Sequence, residues 1–553
     1  MNQIRILLWA ILLTLLWLGF TAWTEDYGAP PPPPAAQQSD GDEQLPPTAP
    51  LPAVTRQPPG QLPAAAVPDT PQPAVTSAVR VTTDVFDIVI DTAGGDIVRA
   101  DLLEYPVSKD TPDDLVRLLD YEAATRWVFQ TGVRDVRSEN GPTHLAPYTS
   151  RQTSYTLGDR DELIVTLDWD DGSGLTAHKT YTFRRGSYAV GLDLQVLNES
   201  AAAFDAMPYM QMLRQHVPND RSFLDVDSYS FTGPVIYDGE SRTKLDVEDL
   251  AEEVDGSEDD VHTNGWLASI QHHFVAAVVP PADEQWRYSG NFVNERYTLT
   301  ARGNTLVVPS GSTTNFAYRL FVGPKLQNQL RDTAQGLVLT VDYGVLTPLA
   351  DPLFWLLENA FAIFSNWGLA IIAVTFLIKL VFYPLTQMSG RSMAKMRELA
   401  PRLKALQERY KEDKQALSQA MMDLYRKEKA NPAAGCLPML VQMPFFFAFY
   451  WVLLESVEMR QAPFFAWIDD LSTRDPFFVL PLLMAAAMFL QTKLNPKPPD
   501  PVQARIMQWM PIIFSVMFAF FPAGLVLYWL TNTVLGIAQQ WNINRVVAAE
   551  RAA

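Results

Sequence analysis

One apolar stretch constrains this chain more than any other, because it is long enough to cross a bilayer and contains a single cation. It runs from Asn366 to Gln387, NWGLAIIAVTFLIKLVFYPLTQ, and the cation is Lys379. At a helical rise of about 1.5 Å per residue, Lys379 lies roughly 18 Å from Trp367 and roughly 12 Å from Gln387. Both distances place it well inside a hydrocarbon core of about 30 Å. An ammonium there costs at least about 2.5–3.5 kcal/mol unless it meets water or a partner.

No Asp or Glu stands in the interior of any other apolar span to pair with Lys379. We therefore predict that Lys379 faces a wet cavity within the membrane. The alternative is snorkelling, in which the flexible side chain reaches the cytoplasmic headgroups. The sequence of this helix alone does not separate the two interpretations.

Charge is divided unevenly along the chain. Residues 351–553 hold 19 Lys and Arg against 15 Asp and Glu, whereas the whole chain carries −19, so residues 1–350 carry −23. A basic membrane half joined to an acidic, water-exposed half argues against nucleic acid as the main partner. The single cysteine, Cys436, rules out an internal disulfide, and we interpret it as a small packing residue.

The first residues predict a membrane anchor followed by a spacer. Ile6–Trp23 is an apolar run preceded by Arg5, and no convincing cleavage site follows it. This pattern predicts an uncleaved anchor over residues 1–26 with its N-terminus in the cytoplasm, and a cleaved signal is the alternative. Residues 27–79 are rich in proline. Such a segment cannot bury enough apolar surface to fold, so it predicts an extended periplasmic linker.

Residues 80–342 have the pattern of a β domain. Val85–Ile90 and Ile97–Leu103 flank Gly94-Gly95, which predicts a hairpin. Further short runs are separated by Gly-rich turns, as around Arg184–Ser187. Many strands of this kind predict a large periplasmic antiparallel β-sandwich.

All six histidines fall in the predicted β domain, and none has metal-ligand spacing. We interpret Trp266–Val279 as strand. Adjacent strand residues point to opposite faces, so His272 and His273 are not expected to share a metal. The sequence therefore predicts neither a metal nor a catalytic site here.

The remaining apolar segments predict a polytopic α-helical membrane protein with six transmembrane helices, five of which form the core. Residues 388–431 hold 11 Lys and Arg against six acids, which predicts a cytoplasmic location for this segment and for both termini, with residues 27–364 periplasmic. The predicted segments are an interfacial helix at 343–364, spans at 365–387, 432–455, 476–492, 506–521 and 525–543, a cytoplasmic hairpin at 388–431, a periplasmic loop at 456–475, a cytoplasmic loop at 493–505 and a short cytoplasmic tail at 544–553.

Apolar residues recur every three or four positions along the predicted hairpin, for example at Met396, Leu399 and Leu403, and again at Met421 and Leu424. This spacing predicts two amphipathic helices joined by a charged turn. Two interpretations are open. The hairpin is a soluble connector, or its Met-rich stripe is an exposed docking surface for apolar clients.

The order of these parts resembles the YidC family of membrane protein insertases of the Gram-negative inner membrane. The resemblance covers the full length and is most specific from Asn366 onward. The segments that carry it are NWGLAIIAVTFLIKLVFYPLT, SMAKMRELAPRLKAL, NPAAGCLPMLVQMPFFFAFYWVL, RQAPFFAWIDDLSTRDPFFVLPLLM and FPAGLVLYWLTN. It implies a periplasmic β-supersandwich and a core groove that is closed to the periplasm but open to cytoplasm and lipid.

Two positions depart from the family pattern. Lys379 stands where a well-known member has Arg, which keeps the charge but loses the planar fork. Trp529 stands where the family often has a second Tyr after Tyr528. We infer that the site needs charge rather than bidentate geometry.

The resemblance implies that the protein inserts nascent membrane proteins and is not an enzyme. Implied client contacts are Phe446, Met484 and Met517. Other side chains are expected along the client's path or in its polar groove, namely Thr375, Lys379, Gln442, Tyr528 and Trp529. Implied partners are the Sec translocon, the ribosome, the signal-recognition pathway and the lipid bilayer. No cofactor is expected, and the chain contains no P-loop motif.

Two other function classes compete with an insertase. A small-solute transporter with a periplasmic binding domain is the alternative, but the spans lack acidic or histidine relay residues and show no internal repeat. An envelope enzyme acting through the β domain ranks last, because no nucleophile, metal set or carboxylate pair is identifiable in that domain.

Overall fold

The computed structural model describes residues 78–137, 141–218, 230–254, 256–257, 261–410, 413–428, 437–494 and 501–552. The predicted anchor (1–26), all but two residues of the predicted linker (27–79), and Cys436 lie outside these ranges. The predicted linker is too long at its C-terminal end, because the first strand already begins at Ala78.

The described residues between Ala78 and Pro324 contain twenty strands. In chain order they are β1 Ala78–Thr82, β2 Phe86–Asp91, β3 Asp96–Ser108, β4 Thr111–Leu119, β5 Trp127–Asp135, β6 Thr149–Ser150, β7 Ser154–Thr156, β8 Glu162–Asp170, β9 Leu175–Arg184, β10 Ala189–Asn198, β11 Phe204–Gln215, β12 Gly233–Tyr237, β13 Arg242–Lys244, β14 Val261–His262, β15 Trp266–Gln271, β16 Phe274–Val279, β17 Trp286–Val293, β18 Arg296–Gly303, β19 Leu306–Val308 and β20 Ser312–Pro324.

The strands form three sheets. Their orders are β4-β3-β2-β1-β7, then β13-β12-β15-β16-β20-β10-β9-β8-β6, and β14-β17-β18-β11-β19 with β5 also pairing with β11. Pairing is antiparallel except between β1 and β7. Along β9, Leu175, Ala177, Tyr181 and Phe183 alternate with less buried residues, so that one face points into the core. The predicted antiparallel β-sandwich is confirmed.

The predicted hairpin around Gly94-Gly95 is also confirmed, as β2 pairs with β3 across this turn. Gly94 has φ of 109°, and a β-carbon there would stand 2.2 Å from the carbonyl oxygen of His144. Only glycine accepts both the positive φ and the close approach.

A buried ion pair holds the three sheets together. Lys179 of β9 occupies an inward position and is fully buried, and its Nζ lies 2.6 Å from Asp96 Oδ1 of β3. The same ammonium donates to the carbonyl oxygens of Gly94, at 2.8 Å, and of Thr131 on β5, at 3.2 Å. Asp96 also accepts from the Thr131 hydroxyl at 2.7 Å. Every donor of the ammonium therefore has an acceptor.

The predicted strand Trp266–Val279 is wrong at its centre, because it is a hairpin of β15 and β16 with His272 and His273 in the turn. The two rings do not lie on opposite faces. They stack with centroids 3.7 Å apart, and each Nε2 lies within hydrogen-bond distance of the carbonyl oxygen of Leu454, at 3.0 and 3.1 Å. Alternation applies along a strand and fails in a two-residue turn.

Ten helices complete the described part of the chain. In chain order they are α1 Leu250–Glu253, α2 Gln327–Thr333, α3 Thr347–Phe364, α4 Trp367–Val381, α5 Tyr383–Arg409, α6 Lys414–Lys427, α7 Leu437–Glu455, α8 Val479–Leu494, α9 Pro501–Phe518 and α10 Ala523–Ala552, with short 3-10 turns at Leu337–Thr340, Gly344–Leu346 and Val457–Met459.

The sequence predicts one straight helix for the apolar stretch around Lys379. This prediction is wrong, because the helix breaks at Phe382. There α4 ends and α5 begins with a bend of 61°. Pro384 in the first turn of α5 has no N–H and would clash with the carbonyl of Leu380, so α4 cannot continue. By length and apolar composition, this bent pair is sufficient to cross a membrane, and no single described helix is. The six spans stay a prediction.

Helices α5 and α6 form the predicted hairpin. Leu399 and Leu403 of α5 pack with apolar residues of α6, including Met421 and Leu424. Arg402 and Glu428 join the two helices by an ion pair of 2.6 Å. Leu399 and Leu403 are therefore covered by the partner helix, which favours the connector interpretation, and the docking surface stays a prediction.

We predict that Lys179→Met lowers the free energy of unfolding of the β domain by about 3–5 kcal/mol, since it leaves the Asp96 carboxylate buried without a cation. Arg80→Met is the matched control. It removes an ion pair to Asp87 whose arginine is 64% exposed and should cost about 1 kcal/mol or less. Urea unfolding of the purified full chain in detergent measures both. Equal midpoints for the two variants would contradict the prediction.

The histidine turn predicts a pH dependence. Burial, followed by the charges of His272, Lys325 and Arg460, holds the pKa of His273 well below its usual range. The unfolded chain therefore binds a proton at His273 near pH 6.5, whereas the folded chain binds it only at a lower pH. Stability is full above about pH 6.5 and decreases as pH falls toward the lowered pKa of the folded state.

The measurement is the urea midpoint of the full chain at pH 7.5 and pH 5.5. His273→Gln keeps a donor for Leu454 but removes the titration, so its midpoint should fall less on acidification than that of the unsubstituted chain. His178→Gln, at a ring that is 44% exposed, should behave like the unsubstituted chain. An identical fall in all three proteins would refute the role of His273.

Candidate functional site

Helices α4, α8 and α10 place Lys379 beside two residues from other helices. Lys379 is half-buried, and its Nζ lies 3.8 Å from the point where a β-carbon on Gly536 of α10 would stand. The Nε2 of Gln491 on α8 lies 3.5 Å from the same point. Two donor groups therefore converge on one glycine.

No carboxylate forms an ion pair with Lys379 within the described ranges. Gln491 is a neighbour that sequence reasoning missed. The sequence does mark this position, because Gln491 is the first polar side chain after the apolar run AAAMFL of α8. The contact itself depends on how α8 and α10 pack, which periodicity does not give.

Thr375 and Gln442, the other two polar side chains predicted for the groove, have different surroundings. Thr375 lies one turn before Lys379, is 1% exposed, and donates its hydroxyl to the carbonyl of Ile371 at 2.6 Å. Its polar group is thus satisfied by its own helix. Gln442 is half-buried on α7. No described interaction joins Thr375 or Gln442 to Lys379.

Three of the predicted site residues meet in an aromatic cluster. Phe446 of α7 stacks on Tyr528 with centroids 5.9 Å apart and meets Trp529 edge-on at 4.7 Å. Trp529 also lies 5.1 Å from Phe518 of α9, and Tyr528 lies 4.6 Å from Phe449. The tryptophan that departs from the family pattern is thus a central member of this cluster.

The two predicted methionine contacts differ in exposure. Met517 is half-buried on α9, beside the aromatic cluster residue Phe518. Met484 is fully buried on α8, so a client touches it only after neighbouring side chains move. Gly536 is seven positions after Trp529 on α10, so Lys379 and the aromatic cluster lie about 10 Å apart along that helix.

The α7–α8 loop, residues 456–478, covers the end of the helices opposite to Lys379. It packs on the start of α4, where Asn366 Nδ2 donates to the Phe464 carbonyl at 3.1 Å. It also accepts from the start of α10, since Gly524 N donates to Leu471 O at 2.9 Å. A β-carbon on Gly368 would stand 2.0 Å from the Phe464 ring, so this glycine is what allows the contact.

One buried carboxylate organises the loop and was missed by sequence reasoning. Asp475 is 1% exposed and accepts from Leu480 N at 2.6 Å, Phe477 N at 3.0 Å and Trp467 Nε1 at 3.0 Å. An Asp before an apolar helix is a helix-start signal, so the cap was predictable. The bond to Trp467 was not, because it depends on the folded loop.

The β domain contacts the same loop. Arg460 donates to the carbonyl of Pro106, in the β3–β4 hairpin, at 2.8 Å, and Lys109 of that hairpin donates to the Asp469 carbonyl. Ser230 donates to Glu455 at 2.7 Å. The described residues contain no group of three or more His, Cys, Asp or Glu side chains placed to hold a metal ion.

Two family models match the chain. Residues 78–356 match the YidC periplasmic domain, and residues 359–550 match the 60Kd inner membrane protein family. Among solved structures, an active YidC insertase with its first transmembrane domain resolved aligns over 84% of this chain and 92% of its own, at 19% identity and a TM-score of 0.38.

Curated relatives align over most of their length. The membrane protein insertase YidC of Methylococcus capsulatus is 47% identical over 480 residues, 86% of each chain. That of Alkalilimnicola ehrlichii is 48% identical over 482 residues, 86% of this chain and 84% of its own. That of Thioalkalivibrio sulfidiphilus is 45% identical over 564 residues, 99% of this chain and 98% of its own. The chain therefore belongs to the YidC family of membrane protein insertases.

Proposed function

We propose that this protein integrates membrane proteins into the bacterial inner membrane, alone or with the Sec translocon, through a polar recess at Lys379. The observation that carries the proposal is the Lys379 ammonium beside the Gln491 amide at Gly536, with no acidic partner among the described residues. An unpaired ammonium among apolar helices costs at least about 2.5–3.5 kcal/mol. A client that supplies water or a carboxylate at this point relieves that cost.

The recess shortens the distance over which a client's polar flank crosses hydrocarbon. Lys379 attracts acidic residues in that flank, and the client's apolar segment moves out beside α7 and α9. Exposed residues on these helices offer an apolar path, for example Phe447 at 43% and Ile513 at 65% exposure. Partition of the client's apolar surface into lipid supplies about 25 cal/mol per Å², so no nucleotide is required.

The aromatic cluster closes the path on the side of the α7–α8 loop. There the ring centroid of Phe446 lies 5.9 Å from that of Tyr528 and 4.7 Å from that of Trp529. The proposed topology has six spans, with both termini and the α5–α6 hairpin in the cytoplasm and residues 27–364 in the periplasm. Ribosomes and the signal-recognition pathway would deliver nascent clients transiently to the cytoplasmic side.

We expect Lys379→Glu to reduce insertion of a small client with an acidic translocated flank at least about tenfold, which corresponds to about 1.4 kcal/mol. Lys379→Arg should be nearly neutral, because it keeps the charge. Lys404→Glu makes the same change of charge on the exposed face of α5 and serves as the control. The measurement is integration of the client into membranes depleted of the native insertase.

Three results bear on the proposal. Full insertion by the Lys379→Glu variant would show that insertion does not need the cation. Equal losses in Lys379→Glu and Lys404→Glu assign the effect to general charge rather than to the recess. Failure of the unsubstituted chain to restore any client would refute the insertase function itself.

A further inference from the structure

The C-terminal end of α7 is held by two histidines of the β domain. Leu454 lies in the last turn of α7, where carbonyl groups have no partner within the helix. The Nε2 atoms of His272 and His273 lie 3.0 and 3.1 Å from its oxygen. Because a carbonyl oxygen can only accept, each ring carries a hydrogen on Nε2 and donates it. The two rings therefore cap α7 from a different domain.

This contact is buried and joins several elements of the fold. His273 is 8% exposed and Leu454 is 4% exposed. Next to them, Ser230 donates to Glu455 Oε1 at 2.7 Å, and Lys325 N, directly after β20, donates to the carbonyl oxygen of His273 at 2.9 Å. A charge added to a ring at this point is therefore largely removed from water.

The charged groups around the turn come from three elements. Lys325, which is 2% exposed, and Arg460 of the α7–α8 loop both act on His273, and the Arg460 guanidinium lies 5.5 Å from the ring centroid of Phe274. Glu455 of α7 is the buried acid that acts on Lys325. Two cations and one carboxylate thus surround the uncharged rings. Further groups act on Lys325 or on Arg460, namely Asp342, Arg242, Lys244, Asp470 and Tyr105.

A proton on His273 would add a third cation to this buried set. The end of a helix attracts a cation, and the Leu454 carbonyl does favour the protonated ring. Burial and the charges of His272, Lys325 and Arg460 outweigh that attraction and hold the pKa of His273 well below its usual range. The docked turn therefore excludes a proton that an undocked turn would bind.

We propose that the His272-His273 turn is a proton-sensitive cap through which the β domain positions α7, and that acidification on the β-domain side releases the end of this helix. Both histidines are positioning residues, since α7 also carries Phe446 and Phe449 of the aromatic cluster. The consequence for clients rests on the proposed function, whereas the release of the helix end does not.

The sign and the size of the effect follow from linkage. In a released turn that is open to water, His273 regains a pKa near 6.5. Docking is therefore strongest above about pH 6.5 and weakens as the pH falls below it. At pH 5.5 a ring of this kind is protonated about ten times more often than it is neutral, so His273 alone lowers the docking equilibrium up to about tenfold.

The first test measures release directly and needs no insertion activity. In a Cys436→Ser background, which lacks the chain's single native cysteine, nitroxide labels are placed at Ile164→Cys of β8 and Phe447→Cys of α7, which are 56% and 43% exposed. Pulsed electron paramagnetic resonance in lipid nanodiscs then gives the distribution of distances between the labels at pH 7.5 and pH 5.5.

We expect a second, displaced population at pH 5.5 with the native turn and with the control His178→Gln, and none with His272→Gln combined with His273→Gln. Ser230→Ala weakens the same contact without removing a titrating group and should enlarge the displaced population. An unchanged distribution in the Ser230→Ala chain at pH 5.5 would overturn the proposal, as would an equal change in the glutamine chain. If the glutamine chain is already released at pH 7.5, the rings are shown to hold the helix, and the Ser230→Ala and His178→Gln chains decide the response to pH.

The second test concerns insertion of a client into membranes depleted of the native insertase, at the same two pH values. The ratio of insertion at pH 7.5 to insertion at pH 5.5 should be at least threefold higher for the native turn than for the glutamine chain. Equal ratios would contradict a role of the cap in positioning α7.

The two tests also separate this proposal from the proposed function. Release at pH 5.5 in a chain that inserts no client at either pH supports the cap and removes the insertase. Normal insertion with no displaced population and no difference between the native and glutamine turns removes the cap and leaves the insertase.

Discussion

The hydrogen bonds of the α7–α8 loop are the constraint on which the rest of the described structure depends. Through Phe464 and Leu471 the loop fixes the starts of α4 and α10, and through Asp475 it fixes the start of α8. Through Arg460 it joins the helices to the β domain. The loop therefore fixes the starts of the helices that carry Lys379, Gln491 and Gly536, and the direct packing of α10 on α4 and α8 brings the three residues together.

Two lysines with desolvated ammonium groups, Lys179 and Lys379, differ in their polar neighbours. Lys179 is fully buried and has three acceptors, Asp96 and two carbonyl oxygens, which is what a purely structural cation needs. Lys379 has an amide nitrogen for a neighbour and no carboxylate within the described ranges. The contrast is the physical reason to assign Lys179 to stability and to propose Lys379 for binding.

The parts of the fold that depend on local pattern were predictable. Gly94-Gly95 marked its hairpin, and the charged segment between two apolar repeats marked the α5–α6 hairpin. Pro384 also carried the signal for the break at Phe382, but it was outweighed by the apolar run around it. His272 and His273 were predicted to lie on a continuous strand but form a turn. A two-residue turn inside an apolar segment leaves the period of the pattern almost unchanged.

For the candidate site, the sequence predicted which residues belong to it but not how they are arranged. Lys379, Phe446, Tyr528 and Trp529 were predicted, but the approach of Lys379 and Gln491 to Gly536 arises from α4, α8 and α10, which are far apart in sequence. Gly536 gave no signal at all, since a glycine within a helix pattern usually counts only as a weak point.

The aromatic cluster has a consequence for the cell's energy supply. On the proposed function, a polar recess sits in a membrane that sustains a voltage and a proton gradient, and an uninterrupted file of water across it would dissipate both. Phe446, Tyr528 and Trp529 place stacked rings between the recess and the α7–α8 loop. On the same proposal, these rings interrupt the file of water in an idle insertase and move aside only while a polypeptide passes.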